Sequence, residues 1–138
     1  MGEGDVAVIE HLSREECLRL LAGQELGRLV VVRDGEPDIF PVNYALDGDQ
    51  VVIRTDPGTK LSAASFGNVA FEVDDLDREA HTGWSVVVRG FGHNISTAID
   101  PRSEALRAVG LESWAPGAKA SWIRVLPRAI TGRRLRQG

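Results

Sequence analysis

The residues best suited to chemistry lie in one short run, Val51-Val52-Ile53-Arg54-Thr55-Asp56-Pro57-Gly58-Thr59-Lys60-Leu61. An apolar strand ends there in a guanidinium and a hydroxyl, a Pro-Gly turn follows, and a lysine opens the next segment. Together these groups can form an anion cup. Arg54 can offer a phosphate two parallel N–H donors, and Thr55 can donate from its hydroxyl. A short helix starting near Lys60 would aim free backbone N–H groups at the same point, with its dipole assisting. Lys60 supplies a second cation, and Gly58 lets the backbone approach without a Cβ in the way. The glycine spacing is not that of a P-loop. The same run also fits a hairpin-to-helix turn carrying two solvated cations, and spacing alone leaves both readings open.

A second stretch adds to it. Phe40-Pro41-Val42-Asn43-Tyr44 puts a proline inside a strand, which favours an edge or a bulge. Backbone groups freed there can hydrogen-bond a flat polar ring, with Asn43 adding an amide; equally, Pro41 can simply shield a sheet edge. Of the three tryptophans, Trp84 and Trp114 are candidates for walling a pocket, whereas Trp122, in an alternating strand, reads as barrel core or a subunit contact. His81, near a strand entry, reads as a surface histidine, and Cys17 as a buried thiol on an apolar helix stripe. The basic end, Arg128, Arg133, Arg134 and Arg136, reads as a charged edge strand.

The elements that must position these groups are mostly strands. Residues 1–10 read as a loose arm. Ser13 and Glu16 form a capping-box pattern, with Cys17, Leu18, Leu20 and Leu21 as the apolar stripe of a helix that stops near Gly23. The period then changes. Arg28 to Arg33 and Ile39 to Ala45 read as strands joined at Asp34-Gly35, a hairpin signal, and Gln50 to Arg54 is a third strand after the turn Asp47-Gly48-Asp49. Lys60 to Phe66 reads as a short helix, Asn68 to Val73 as a strand, the acidic stretch Asp74 to Glu79 as a loop, and His81 to Ser96 as a long strand bent at Gly90 and Gly92. Asp100-Pro101 caps another short helix. Ser121 to Leu126 and Ala129 to Leu135 read as two closing strands, with Pro127 at a turn or edge. Hairpins without helical crossovers argue for an all-β, nearly closed antiparallel barrel of six or seven strands with short helices.

Bulk properties narrow the function. The chain has 138 residues, 43% hydrophobic and 26% charged, which suits one globular domain over 1–138. A net charge of -4 is the wrong sign for generic nucleic-acid binding. No apolar run is long enough to span a membrane. One cysteine and three scattered histidines give no disulfide and no zinc pattern, so no metal is expected. With no signal-peptide core at the start, the expected location is the cytoplasm.

The succession RLVVVRDGEPDIFPVNYALDGDQVVIRTDPGTKL, NVAFEVDDLD, GWSVVVRGFG and WIRVLPRAITGRRL resembles the pyridoxamine 5′-phosphate oxidase-like flavin-binding proteins, and most of all their short, nitroimidazole-resistance-like branch. The likeness runs from about Ser13 to Leu135. It implies a split barrel, a homodimer, and FMN at the dimer interface of a flavin-dependent oxidoreductase acting on a small molecule. By position it implies that Arg54, Thr55, Lys60 and Leu61 surround the flavin phosphate and ribityl chain. Pro41, Val42 and Asn43, with Val52 and Ile53, would line the isoalloxazine ring, and Trp84 and Ser85 would reach the cofactor, often from the second subunit. The C-terminal arginine and histidine of pyridoxamine 5′-phosphate oxidase proper have no match in Arg133-Arg134-Leu135-Arg136, so vitamin B6 oxidation is not implied. An F420-dependent reductase, or a flavin- or haem-binding protein without turnover, is the alternative on the same barrel. A dimer also has a physical motive, since so short a chain offers little wall for a ligand the size of FMN.

Overall fold

The computed structural model describes residues 7–56, 67–108, 111–114 and 121–138. In chain order these form β1 (Ala7–Leu12), α1 (Arg14–Ala22), β2 (Leu26–Arg33), β3 (Glu36–Asp47), β4 (Gln50–Thr55), β5 (Gly67–Asp77), β6 (Thr82–Asn94), α2 (Pro101–Ala108) and β7 (Ser121–Gln137). Every strand pairing is antiparallel. The pairings run β7-β4-β3-β2-β5-β6 and close back from β6 to β7, while β1 adds to the C-terminal half of β7. The sheet is thus a closed ring with one extra strand, the all-β barrel with short helices that the hairpin pattern predicts.

Local signals account for much of this. The Ser13 hydroxyl accepts the Glu16 N–H at 3.2 Å, capping α1, and the Gly23 N–H bonds back to the last turn. The β2–β3 loop is the two residues Asp34-Gly35, both at positive φ (52° and 77°), as the favoured tight hairpin turn requires. Buried positions alternate along the strands. Val31, Val51, Ile53, Phe71, Val73, Val86, Val88, Ile123 and Val125 fill the barrel, and Cys17 and Leu21 of α1 plug one end. Complete burial of such a side chain stabilises by about 1.5–3 kcal/mol. Tyr44 lies edge-on to Phe71 and donates its hydroxyl to the Leu21 carbonyl. Burial pushes that phenol well above its usual pKa.

Four sequence expectations change. Ala7–Glu10 are strand rather than a loose arm, paired with Arg134–Gln137. The acidic loop begins later than expected: Asp74–Asp77 continue β5, because the long β6 supplies partners as far as Thr82. The two closing strands are one strand, β7. Pro127 faces Gly90 at a register shift beside Arg128, a bulge where a missing N–H is tolerated. Trp122 packs outside the barrel with Val52, Ile95, Leu106 and Leu111, a second apolar cluster that clamps α2 to the outer wall. The expected helix at 60–66 lies outside the described residues.

The bulge depends on a close backbone approach. A Cβ at Gly90 would stand 2.1 Å from the Leu126 carbonyl oxygen. Gly90→Ala should therefore destabilise the chain by about 1–3 kcal/mol, read as a lower urea midpoint, whereas Gly35→Asn in the open hairpin turn should cost far less.

Candidate functional site

Strand alternation and pairing set the geometry around Arg54. The β3–β4 ladder pairs Tyr44–Asp47 with Gln50–Ile53 and stops there. Beyond it, Phe40–Asn43 pair with β2 on one side and have no described strand on the other. Arg54 stands where the ladder ends, opposite Trp122 of β7. Its guanidinium carbon is 5.1 Å from the centre of the Trp122 ring, and its Nη1 donates to the Leu111 carbonyl at 3.1 Å. An outward-facing arginine thus sits beside a stretch of β3 that has no strand partner on that side among the described residues.

Asn43 braces the same place. Its Nδ2 donates to the Glu25 carbonyl at 3.2 Å, and its Oδ1 accepts the Trp114 N–H at 2.8 Å. The amide ties the entry of β2 to the segment after α2 and borders a cleft of about 270 Å³ floored by Tyr44 and Ala45. The Trp114 indole is 64% exposed at its edge. Further round, Asp100 caps α2 by accepting the Ser103 N–H at 3.0 Å. Hydrogen bonds from the Ser103 side chain and backbone hold the Asp100 carboxyl below its usual pKa.

The residues predicted from sequence divide into groups. Pro41, Asn43 and Arg54 share this outer rim. Val42, Val52 and Ile53 are enclosed by apolar packing, at 7%, 3% and 0% exposure, so only their backbone is within reach of a ligand. Thr55 turns inward at the end of β4, opposite the buried Ser121. Lys60 and Leu61 lie outside the described residues. Trp84 and Ser85 belong to a separate cleft of about 400 Å³, walled by Ile9, Leu76, Arg133 and Leu135. Trp84 pairs with Arg134 and Arg54 with Trp122, so the two groups lie toward opposite ends of β7. Sequence reasoning missed Leu111 and the Trp122–Arg54 stack. Nothing local signals an accepting carbonyl from so far along the chain, and the Arg54–Trp122 contact follows only from the β4–β7 register. His81 is exposed in a turn and Cys17 is fully buried. Among the described residues no cluster of three His, Cys, Asp or Glu could hold a metal ion, and no helix is long and apolar enough to cross a membrane.

Comparison with known proteins identifies the architecture. The family model for pyridoxamine 5′-phosphate oxidase matches residues 13–134. The chain belongs to the pyridoxamine 5′-phosphate oxidase family. An uncharacterized Mycobacterium tuberculosis protein is 36% identical over 133 residues, with 92% of this chain and 86% of that protein covered. A solved FAD-binding protein from Mycobacterium smegmatis is 38% identical with a TM-score of 0.70, covering 92% of this chain and 98% of that one. An FAD-binding protein from Mesorhizobium loti, 23% identical with a TM-score of 0.75 over 96% of this chain and all of that one, shares the fold. In this member of the pyridoxamine 5′-phosphate oxidase family, the family match spans both groups of predicted residues, the Arg54 rim and the Trp84 cleft.

The geometry makes two predictions. Asn43→Ala should speed hydrogen exchange at the Trp114 amide by removing its acceptor, while β4 amides stay protected. The lowered Asp100 pKa means that its cap contributes stability above the ordinary aspartate value and loses it as pH falls through the lower folded value. A circular-dichroism pH titration should show α2 weakening in that acid window, and Asp100→Asn should flatten the response.

Proposed function

We propose that this chain is a flavin-dependent oxidoreductase that binds FMN along the outer rim of β3 and β4, in the seam of a homodimer. The observation that carries this reading is Arg54, fixed at the end of the β3–β4 ladder beside the open edge of Pro41–Asn43. A guanidinium suits a phosphate, and strand backbone with no described strand partner on one side suits the polar edge of a planar heterocycle. The residues present fit the cofactor in that respect. Arg54 and Lys60 would hold the phosphate, with Thr55, whose side chain turns inward, offering only its backbone, and Leu61 would lie along the ribityl chain. Pro41 and the backbone of Val42 and Asn43 would border the ring. When bound, a flavin supplies hydride or electron transfer with a small-molecule substrate. The chain's own part is to bind, orient and exclude water.

The separation of Trp84 and Ser85 from Arg54 within one protomer supports a shared site, because a second copy could bring its Trp84 cleft to the first copy's rim. Exposed Ile9, Val32, Ile39 and Leu76 on the outer wall suit coverage by that copy. The single cysteine, reduced and buried, suits the cytoplasm. FAD is the second reading, favoured by the 38% identity to the M. smegmatis FAD-binding protein.

Mass spectrometry of the copurified small molecule separates FMN from FAD, and recovery of F420 in place of either would overturn both. Arg54→Ala combined with Lys60→Ala should weaken FMN binding in titration calorimetry, each charge-assisted contact contributing about 1.5–3 kcal/mol. Unchanged affinity would remove the phosphate assignment. Ultracentrifugation should find flavin absorbance in the dimer peak; tight flavin in a monomer would contradict the seam.

A further inference from the structure

We propose that α2 is a releasable strap over the outer apolar cluster, latched by the Asp47 carboxylate, which passes from Arg102 of the strap to Arg124 of the barrel wall when the strap lets go. The device needs no ligand and stands apart from the cofactor reading.

The hold on α2 is largely polar. Of its eight residues only Ser103 and Leu106 are buried, and Leu106 alone of them joins the outer cluster. So short a helix does not persist in water once its packing is lost, so undocking and melting are one event. Arg107 Nη1 donates to the Ile95 carbonyl, a few residues before the helix. Arg102 reaches further. Its Nε donates to Asp47 Oδ2 at 2.8 Å, and its Nη2 meets Oδ1. Asp47 ends β3, so this pair fastens the helix to the barrel wall.

The Asp47 side chain is only 10% exposed, and a carboxylate at that depth resists losing its cation. Arg124 removes the obstacle. It pairs with Val52 of β4 and His93 of β6, and its side chain is 16% exposed. Its Nη2 lies 3.7 Å from Asp47 Oδ2, within ion-pair range but beyond a hydrogen bond. Its Nε and Nη2 are buried and have no hydrogen-bond partner among the described residues. Buried donors left in that condition raise the energy of the docked state. Two arginines thus compete for one carboxylate. With α2 docked, Arg102 holds it and Arg124 goes short. With α2 released, a small swing of Asp47 completes the pair with Arg124, so opening exchanges one ion pair for another and strands no charge.

Hydrogen exchange read by mass spectrometry on the full chain tests this, with β4 and β7 peptides as the internal reference. Arg102→Gln should raise exchange of the α2 amides by about fivefold. Arg124→Met should do the opposite. With no cation waiting for Asp47, opening is harder, and α2 exchange should fall by about threefold. An Arg124 that merely lends its charge to Asp47, and to Asp100 at the head of α2, predicts faster exchange in the same variant. Unchanged or faster α2 exchange in Arg124→Met therefore overturns the handover, and no response to Arg102→Gln overturns the latch. Arg124→Gln replaces the methionine variant if circular dichroism shows that the latter is unfolded. In an Asp47→Asn background the Arg124 substitution should no longer slow α2. Slowing that persists there has its cause outside the shared carboxylate and also overturns the proposal.

Discussion

A cation at the end of a strand can hold a dianion only if its donors already point the right way. Arginine on a flexible stem in water would otherwise spend much of the binding energy on being ordered. Arg54 at the end of β4 is held by the Trp122 ring, 5.1 Å from its guanidinium carbon, and by the Leu111 carbonyl that accepts from it. The cluster outside the barrel keeps the indole still, α2 covers the cluster, and the cap at Asp100 begins α2. Each layer gives the next a fixed surface.

The chain therefore has two apolar cores with different duties. The barrel interior, from Leu29 through Val125, holds the larger cluster of buried residues. The outer cluster is smaller. It lies beneath Arg54, at the end of the β3–β4 ladder. Val52 shows the division, since its neighbours Val51 and Ile53 point into the barrel while it packs outward beneath α2. A family member could vary the outer cluster and retune the rim while the barrel stays intact.

What was legible in the sequence was local. The Ser13 cap, the Asp34-Gly35 hairpin and the Asp100-Pro101 helix entry each depend on residues within three or four positions, and each formed as read. The succession of strand motifs was enough to recognise the family. Long-range pairing was not legible. Ala7–Leu12 is a single short strand whose partner is more than a hundred residues away. Asp74–Asp77 look like solvent-facing loop until the length of β6 is known. Pro127 looks like a break until the bulge opposite Gly90 explains it. At the rim, Val42, Val52 and Ile53 were expected beside a ligand, but Val42 and Ile53 point into the barrel and Val52 is covered by the outer cluster. Which strand faces which decides that, and composition does not encode it.

The pairing of β7 with β4, β6 and β1 also bears on biosynthesis. The strand that closes the ring is made after all of its partners. Until it emerges from the ribosome, the nascent sheet β4-β3-β2-β5-β6 has two unsatisfied borders, one at each side, and an unpaired β1. Such borders recruit other chains. A stalled or prematurely terminated translation product lacking β7 would therefore be a sticky half-shell, open along both borders.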